Sequence, residues 1–333
     1  MRRASRFLTG LVALAGLLTA PVLLAEWHQV TEAIMGTRVH AEIWHEDAER
    51  AEELLAAVVA EMRRIDATYS PFSEESELSR LNREAPRGWV STTAEMIDLL
   101  EKSARVSRLT GGAFDITYAS VGRYYDYREG RRPDAEEMAA GLEAINYEFV
   151  EVDAEARRVR FANPHVYIDL GGIAKGYAVD RSIELLLAAG VSQASVSAGG
   201  DSRIVGDRHG EPWTVGIRDP RREDAVSVIL PLVDTAVSTS GDYERFFEED
   251  GIRYHHILDP GTGDSARKSW SVTILGPEAT FTDALSTSVF VLGPEKGLAL
   301  IDRLPGIDAI IIDAGGALRY SADLAELAAD GEP

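Results

Sequence analysis

Hydrophobic positions change their period several times along the chain. The stretch RVHAEIWH alternates apolar and polar residues, the two-residue period of a half-buried strand. In DAERAEELLAAVVAEMRRIDATYS the apolar residues recur every three or four positions and predict a long amphipathic helix. STTAEMIDLLEKSARVSRLTGG predicts a second helix, with Ser and Thr to cap its start and two glycines to stop it. EFVEVDAEARRVRFANPHVYIDLGG reads as a hairpin and a further strand, and IAKGYAVDRSIELLLAAG as a helix closed by Gly190. Short strands follow in QASVSAGG, WTVGIRD, VSVILP, TAVSTSG, RYHHILD, SVTILG and AIIID. Two helices, from Asp283 and from Pro294, interrupt the last of these. Helices and strands mix without a regular βαβ alternation, which predicts an α+β fold with mixed, largely antiparallel sheets.

The N-terminus has a different pattern. Arg2, Arg3 and Arg6 precede the apolar run FLTGLVALAGLLTAPVLLA, which ends in small Ala25. Residues 1–25 therefore read as a signal peptide or an N-terminal anchor, and residues 26–333 as one domain, with a division into two subdomains left open. The bulk of the protein is expected outside the cytoplasm. The chain has no cysteine, so export brings no disulfide and no lipid-bearing thiol. The formal charge of −21 argues against nucleic acid as a partner. Only Lys102, Lys175, Lys268 and Lys296 among the 34 basic residues are lysines. A high-salt habitat and genomic base composition both account for an acidic, lysine-poor chain.

Candidate chemistry gathers at glycine turns. In YIDLGGIAKGYAVD a strand is expected to run into Gly171 and Gly172, with a helix starting near Ala174. Such a turn offers free N–H groups to phosphate, with Lys175 beside it, but it also serves as an ordinary strand-to-helix connection. Asp283 and Thr287 stand four apart and share one helix face. Taken alone, Asp283 as a helix cap and Thr287 as a back-bonded hydroxyl explain that pair. His255 and His256 are adjacent in an expected strand and so point to opposite faces. Asp201 and Asp242 follow tight turns, where Asp is common for turn reasons alone. Phe114 and Asp115, after Gly111-Gly112, read either as ring-stacking and hydrogen-bonding groups or as a core Phe and a turn Asp.

Together the segments MGTRV, SPFSEESELSRLN, GGAFDIT, IDLGGIAKGYAVD, SAGGD, STSGDYERFF, HILDPGTG and TDALSTSVFVLG resemble, in order, the ApbE family of FAD:protein FMN transferases. The resemblance implies an ApbE-like, T-fold-like architecture. It also implies Mg²⁺-dependent transfer of FMN from FAD to a threonine hydroxyl of an acceptor protein, with release of AMP. It assigns the metal to Asp283, Thr287 and the Ala174 carbonyl. Met35, Phe72, Ala113, Phe114, Asp115, Gly171, Lys175 and Ile257 fall on or beside FAD-contacting positions, and His256 matches the suggested base. A membrane redox-complex subunit is the implied acceptor, and the periplasmic side of the inner membrane the implied location. Two departures stand out: no lipid-bearing cysteine is present, and position 72 is Phe where Tyr or Trp is usual. An FAD pyrophosphatase and a non-catalytic periplasmic flavin-binding protein are the alternatives.

Overall fold

A computed structural model describes residues 25–222 and 224–330; the expected leader at 1–25 lies almost wholly outside them. Among the described residues, no helix is long and apolar enough to cross a membrane.

The centre of the fold is an eight-stranded sheet in which every neighbouring pair is antiparallel. Its spatial order is Glu26–Ile34, Thr37–His45, Ala194–Ala198, Asp201–Val205, Ala236–Gly241, Ser269–Gly276, Asp308–Asp313 and Leu318–Tyr320. The expected α+β class is therefore observed. The Glu26–Ile34 strand is additional to the sequence reading. Its alternation is blurred by polar residues on both faces, and its full-length register with Thr37–His45 holds it in place.

Three helices cover one face of this sheet: Ala48–Tyr69, Ala174–Ala188 and Ala279–Leu292. The first buries Leu54, Leu55, Val58, Met62 and Ile65, at roughly 1.5–3 kcal/mol for each large apolar side chain. On the opposite face, Val237, Leu275 and Ile310 pack against the hairpin of Trp213–Arg218 and Val226–Leu232.

The second helix, called here the lysine helix, starts at Ala174 and ends before Gly190, whose φ is +88°. The third, the aspartate helix, starts at Ala279, four residues before the expected Asp283. Asp283 is not its cap. That task falls to Asp180 of the lysine helix, which accepts hydrogen bonds from the backbone of Ala279 at 2.9 Å and Thr280 at 2.8 Å. A cap supplied from another helix leaves no local signal, so the sequence placed the start too late.

The strand expected in PHVYIDLGG is also corrected. The hairpin before it forms from Val150–Asp153 and Arg158–Phe161, but Val166–Leu170 has no regular structure. Side chains replace a ladder there. Asn82 both donates to the Ile168 carbonyl at 2.9 Å and accepts from its amide at 2.8 Å. Ser120 accepts from Tyr167 N at 3.0 Å.

Candidate active site

The lysine and aspartate helices approach closely at Gly176. A Cβ there would meet the Ala279 carbonyl oxygen at 2.1 Å and the Asp283 Cβ at 2.8 Å, so only glycine permits this packing. The Gly176 amide donates to Asp283 Oδ2 at 3.0 Å. Contact between the helices thus places Asp283, one turn into its own helix and 3% exposed, against the glycine turn.

Lys175 lies between two carboxylates. Its Nζ is 2.8 Å from Asp201 Oδ2 and 3.2 Å from Asp283 Oδ2, and it donates to the Gly171 carbonyl at 3.2 Å. Asp201 follows a turn as expected, but it is 2% exposed and serves as an ionic partner of the lysine. Burial, with the Asp201 charge beside it, pushes the Asp283 pKa up to about 7, against the opposing pull of Lys175. Burial works against the Lys175 charge, yet Asp201 and Asp283 outweigh it and hold its pKa above the usual lysine value.

Thr287 is half-buried on an otherwise largely buried helix. A Cβ at Gly172 would lie 3.5 Å from Thr287 Oγ1 and 3.3 Å from Phe114 Cε2, so the missing side chain leaves space between them. Beneath Thr287, the strand Ala236–Gly241 turns alternate hydroxyls onto the helix. Ser238 Oγ lies 2.8 Å from Thr282 Oγ1, and Ser240 Oγ lies 2.8 Å from Ser286 Oγ. This explains the polar run in TAVSTSG: its residues bond to a helix with buried hydroxyls. The sequence signal for this was the match between STS in the strand and the Thr282 and Ser286 spacing in the helix.

The two histidines separate as expected, although the strand ends at His255. His255 is 3% exposed, donates from Nε2 to the Ala266 carbonyl at 2.7 Å and packs edge-on against Phe290. Burial lowers its pKa. His256 is half-buried; its backbone amide donates to the Arg245 carbonyl at 3.1 Å, and its buried Nδ1 has no partner among the described residues. Burial, then the charge of Arg245, pushes its pKa down to about 3, with smaller contributions from His255 and Lys175.

The remaining candidate positions divide into two sets. Ile257 and Ala113 pack in the same apolar cluster as Leu285 and Val289 of the aspartate helix. Ala174 is buried at the start of the lysine helix. Met35 lies in a β-turn with φ +57°, anchored by its amide to Asp66 at 3.2 Å. That turn lines an open groove of about 600 Å³, and a Cβ on Gly36 would be 3.2 Å from the Arg245 guanidinium. Arg245 thereby joins the Met35 groove to His256. Phe72 is 87% exposed, without a place in the buried clusters. Asp115 accepts from Thr117 N at 2.8 Å and Tyr147 N at 2.8 Å, so one oxygen serves its own turn and the other holds the Tyr147 backbone.

The sequence matches the profile of the ApbE family over residues 35–311. It is 32% identical to an FAD:protein FMN transferase of Treponema pallidum, covering 89% of this chain and 87% of that protein. A transferase of the same description from Klebsiella pneumoniae is 33% identical, with 80% and 79% covered. Among solved structures, the ApbE protein of Thermotoga maritima superposes with a TM-score of 0.83 at 37% identity, covering 90% of this chain and 99% of that one. The apo flavinyl transferase ApbE of Pseudomonas stutzeri gives 0.80 at 30% identity, covering 91% and 97%.

Proposed function

This chain belongs to the ApbE family, and we propose that it is an FAD:protein FMN transferase that moves FMN from FAD onto a threonine hydroxyl of an acceptor protein, releasing AMP. The observation that carries the reading is the convergence of Asp283, Thr287 and Lys175 beside the Gly171–Gly172 turn, which brings a carboxylate, a hydroxyl and an ammonium together.

The donor set suits a hard cation. Asp283 and Thr287 offer oxygen only, and the buried carboxylate lacks full charge compensation when Lys175 is shared with Asp201. Mg²⁺ is the proposed ion, held by Asp283, Thr287 and the Ala174 carbonyl, where it would neutralise charge on the phosphates. Lys175 adds a positive charge at the glycine turn, and Arg245 adds one between His256 and the Met35 groove. Phe72 and Phe114 offer ring faces to the flavin, and Met35, Ala113 and Ile257 offer apolar contact.

His256 is proposed to take the proton of the incoming hydroxyl. Its low pKa keeps it unprotonated, and two nearby cations are part of the cause. An anionic diphosphate beside Arg245 and Lys175 would offset those cations and strengthen the base when substrate is in place. The leader read from residues 1–25 supports a place outside the cytoplasm, and the family resemblance is the basis for proposing the outer side of the inner membrane and a membrane redox-complex subunit as acceptor.

The test incubates the full chain with FAD, Mg²⁺ and a candidate acceptor domain, with and without its threonine, and weighs the acceptor. A gain of one FMN mass that vanishes with the threonine is the expected result. Free FMN produced at one rate whether or not acceptor is present would overturn transfer in favour of hydrolysis.

A further inference from the structure

A second cavity, of about 170 Å³, lies against His255 and is lined by Arg221, Asp242, Arg253, Arg267, Ser269 and Trp270, among others. We infer that this cavity binds a small oxoanion: phosphate, sulfate or a carboxylate group.

Charge is the first argument. The whole chain is strongly acidic, yet three arginines and a single carboxylate, Asp242, are among the residues that line this space. Arg221 meets Asp242 through two hydrogen bonds of 2.7 and 2.6 Å. Arg253 is 3.5 Å from the same carboxylate. The other acidic partners, Glu248 of Arg253 and Asp264 of Arg267, are 56% and 41% exposed, so water screens them. One buried carboxylate is shared by two arginines, and the two other carboxylate partners lie toward solvent.

The second argument is a hydroxyl. Ser269 is 2% exposed, and its Oγ has no hydrogen-bond partner among the described residues. Native structures rarely leave a buried hydroxyl unpaired, because it loses water and gains nothing in exchange. Ser269 lines the cavity, and rotation of its hydroxyl toward an oxoanion there would supply the missing acceptor.

The third argument is preparation. Arg221 lies over the Trp270 ring at 4.0 Å, Arg253 lies over Phe246 at 4.1 Å, and Arg267 donates to the Arg253 carbonyl at 2.9 Å. These contacts hold the guanidiniums without a ligand, so binding orders little new. The space is far smaller than a flavin needs, and neither Lys175 nor Asp283 lines it. An anion here would join the Ile252–His255 strand to the Ser269–Gly276 strand and stiffen the segment that leads into His256.

The test compares melting temperatures of the full chain in phosphate, sulfate and acetate against chloride at equal ionic strength, for the natural sequence, Ser269→Ala and Arg267→Gln. The variants are needed because sulfate and phosphate also stabilise proteins by exclusion from the surface. The natural chain should gain about 2–4 °C over chloride at roughly ten times Kd, and both variants should lose most of that gain. A gain with acetate as well would point to a carboxylate side chain of a partner as ligand; a gain with phosphate and sulfate alone would point to a free tetrahedral anion. In chloride, Ser269→Ala should melt at the same temperature or higher, since it removes an unpaired hydroxyl. No gain over chloride, or an equal gain in both variants, would overturn the site.

Discussion

Asp180 accepts a hydrogen bond from the Thr280 backbone amide at 2.8 Å and another from its hydroxyl at 2.5 Å, across one hundred residues of sequence. Its other oxygen holds Ala279 N and Arg203, each within 3.0 Å. One carboxylate of the lysine helix thus sets where the aspartate helix begins, and therefore where Asp283 stands relative to Lys175.

Asp180→Ala should cost on the order of 2–4 kcal/mol, because it strands two helix amides and a half-buried guanidinium together. Urea denaturation measures this. Asp180→Asn should lose less, since the amide oxygen can still accept from one amide. An alanine variant of natural stability would show that the cap is dispensable.

Asp283 gives the metal-free protein a pH dependence of known sign. Its carboxyl titrates near 7 in the fold and near 3.9 when unfolded. Between these values the folded chain keeps a proton that the unfolded chain has released. Stability should therefore fall as pH rises from about 4 to about 7, relative to Asp283→Asn. Mg²⁺ should restore stability above pH 7 in the natural chain and leave the variant unchanged. Asp283→Ala should fold and have no turnover; full activity there would remove the metal assignment.

The histidine pair should separate stability from catalysis. His255→Ala loses the bond to Ala266 and the packing on Phe290, so its melting temperature should drop. His256→Ala should slow transfer by roughly 10²–10⁴-fold with little change in melting temperature. The acid limb of kcat should lie at higher pH than that of kcat/KM, because bound diphosphate raises the His256 pKa from its low value in the free protein. Coincident limbs would contradict this coupling.

Phe72 is exposed enough that its loss should not affect folding. If it stacks on the flavin, Phe72→Ala should weaken FAD binding about 2–12-fold, the equivalent of roughly 0.5–1.5 kcal/mol for an aromatic pair. Titration of FAD into the variant checks this, and natural affinity would place the ring outside the flavin site.

Elements whose instructions are local were legible in the sequence alone. Thr93 caps the Ala94–Thr110 helix and Gly111 ends it at φ +62°, both written within a few residues of the effect. Alternation likewise placed His255 and His256 on different sides, and the order of motifs located the Lys175 and Asp283 segments. What depends on partners far along the chain was settled only by packing. Val166–Leu170 is extended without pairing because Asn82 takes up its backbone groups. Asp201 looked like a turn residue, and became the partner of Lys175 only when the strand beginning at Asp201 came alongside the lysine helix. Asp283 looked like a cap because Asp at a helix start usually is one. Its burial, its raised pKa and its freedom from capping all follow from the closeness allowed at Gly176 and the bond supplied by Asp180. Local propensity acts over a few residues, whereas the energy of a buried charge depends on every group packed around it, and folding alone brings those groups together.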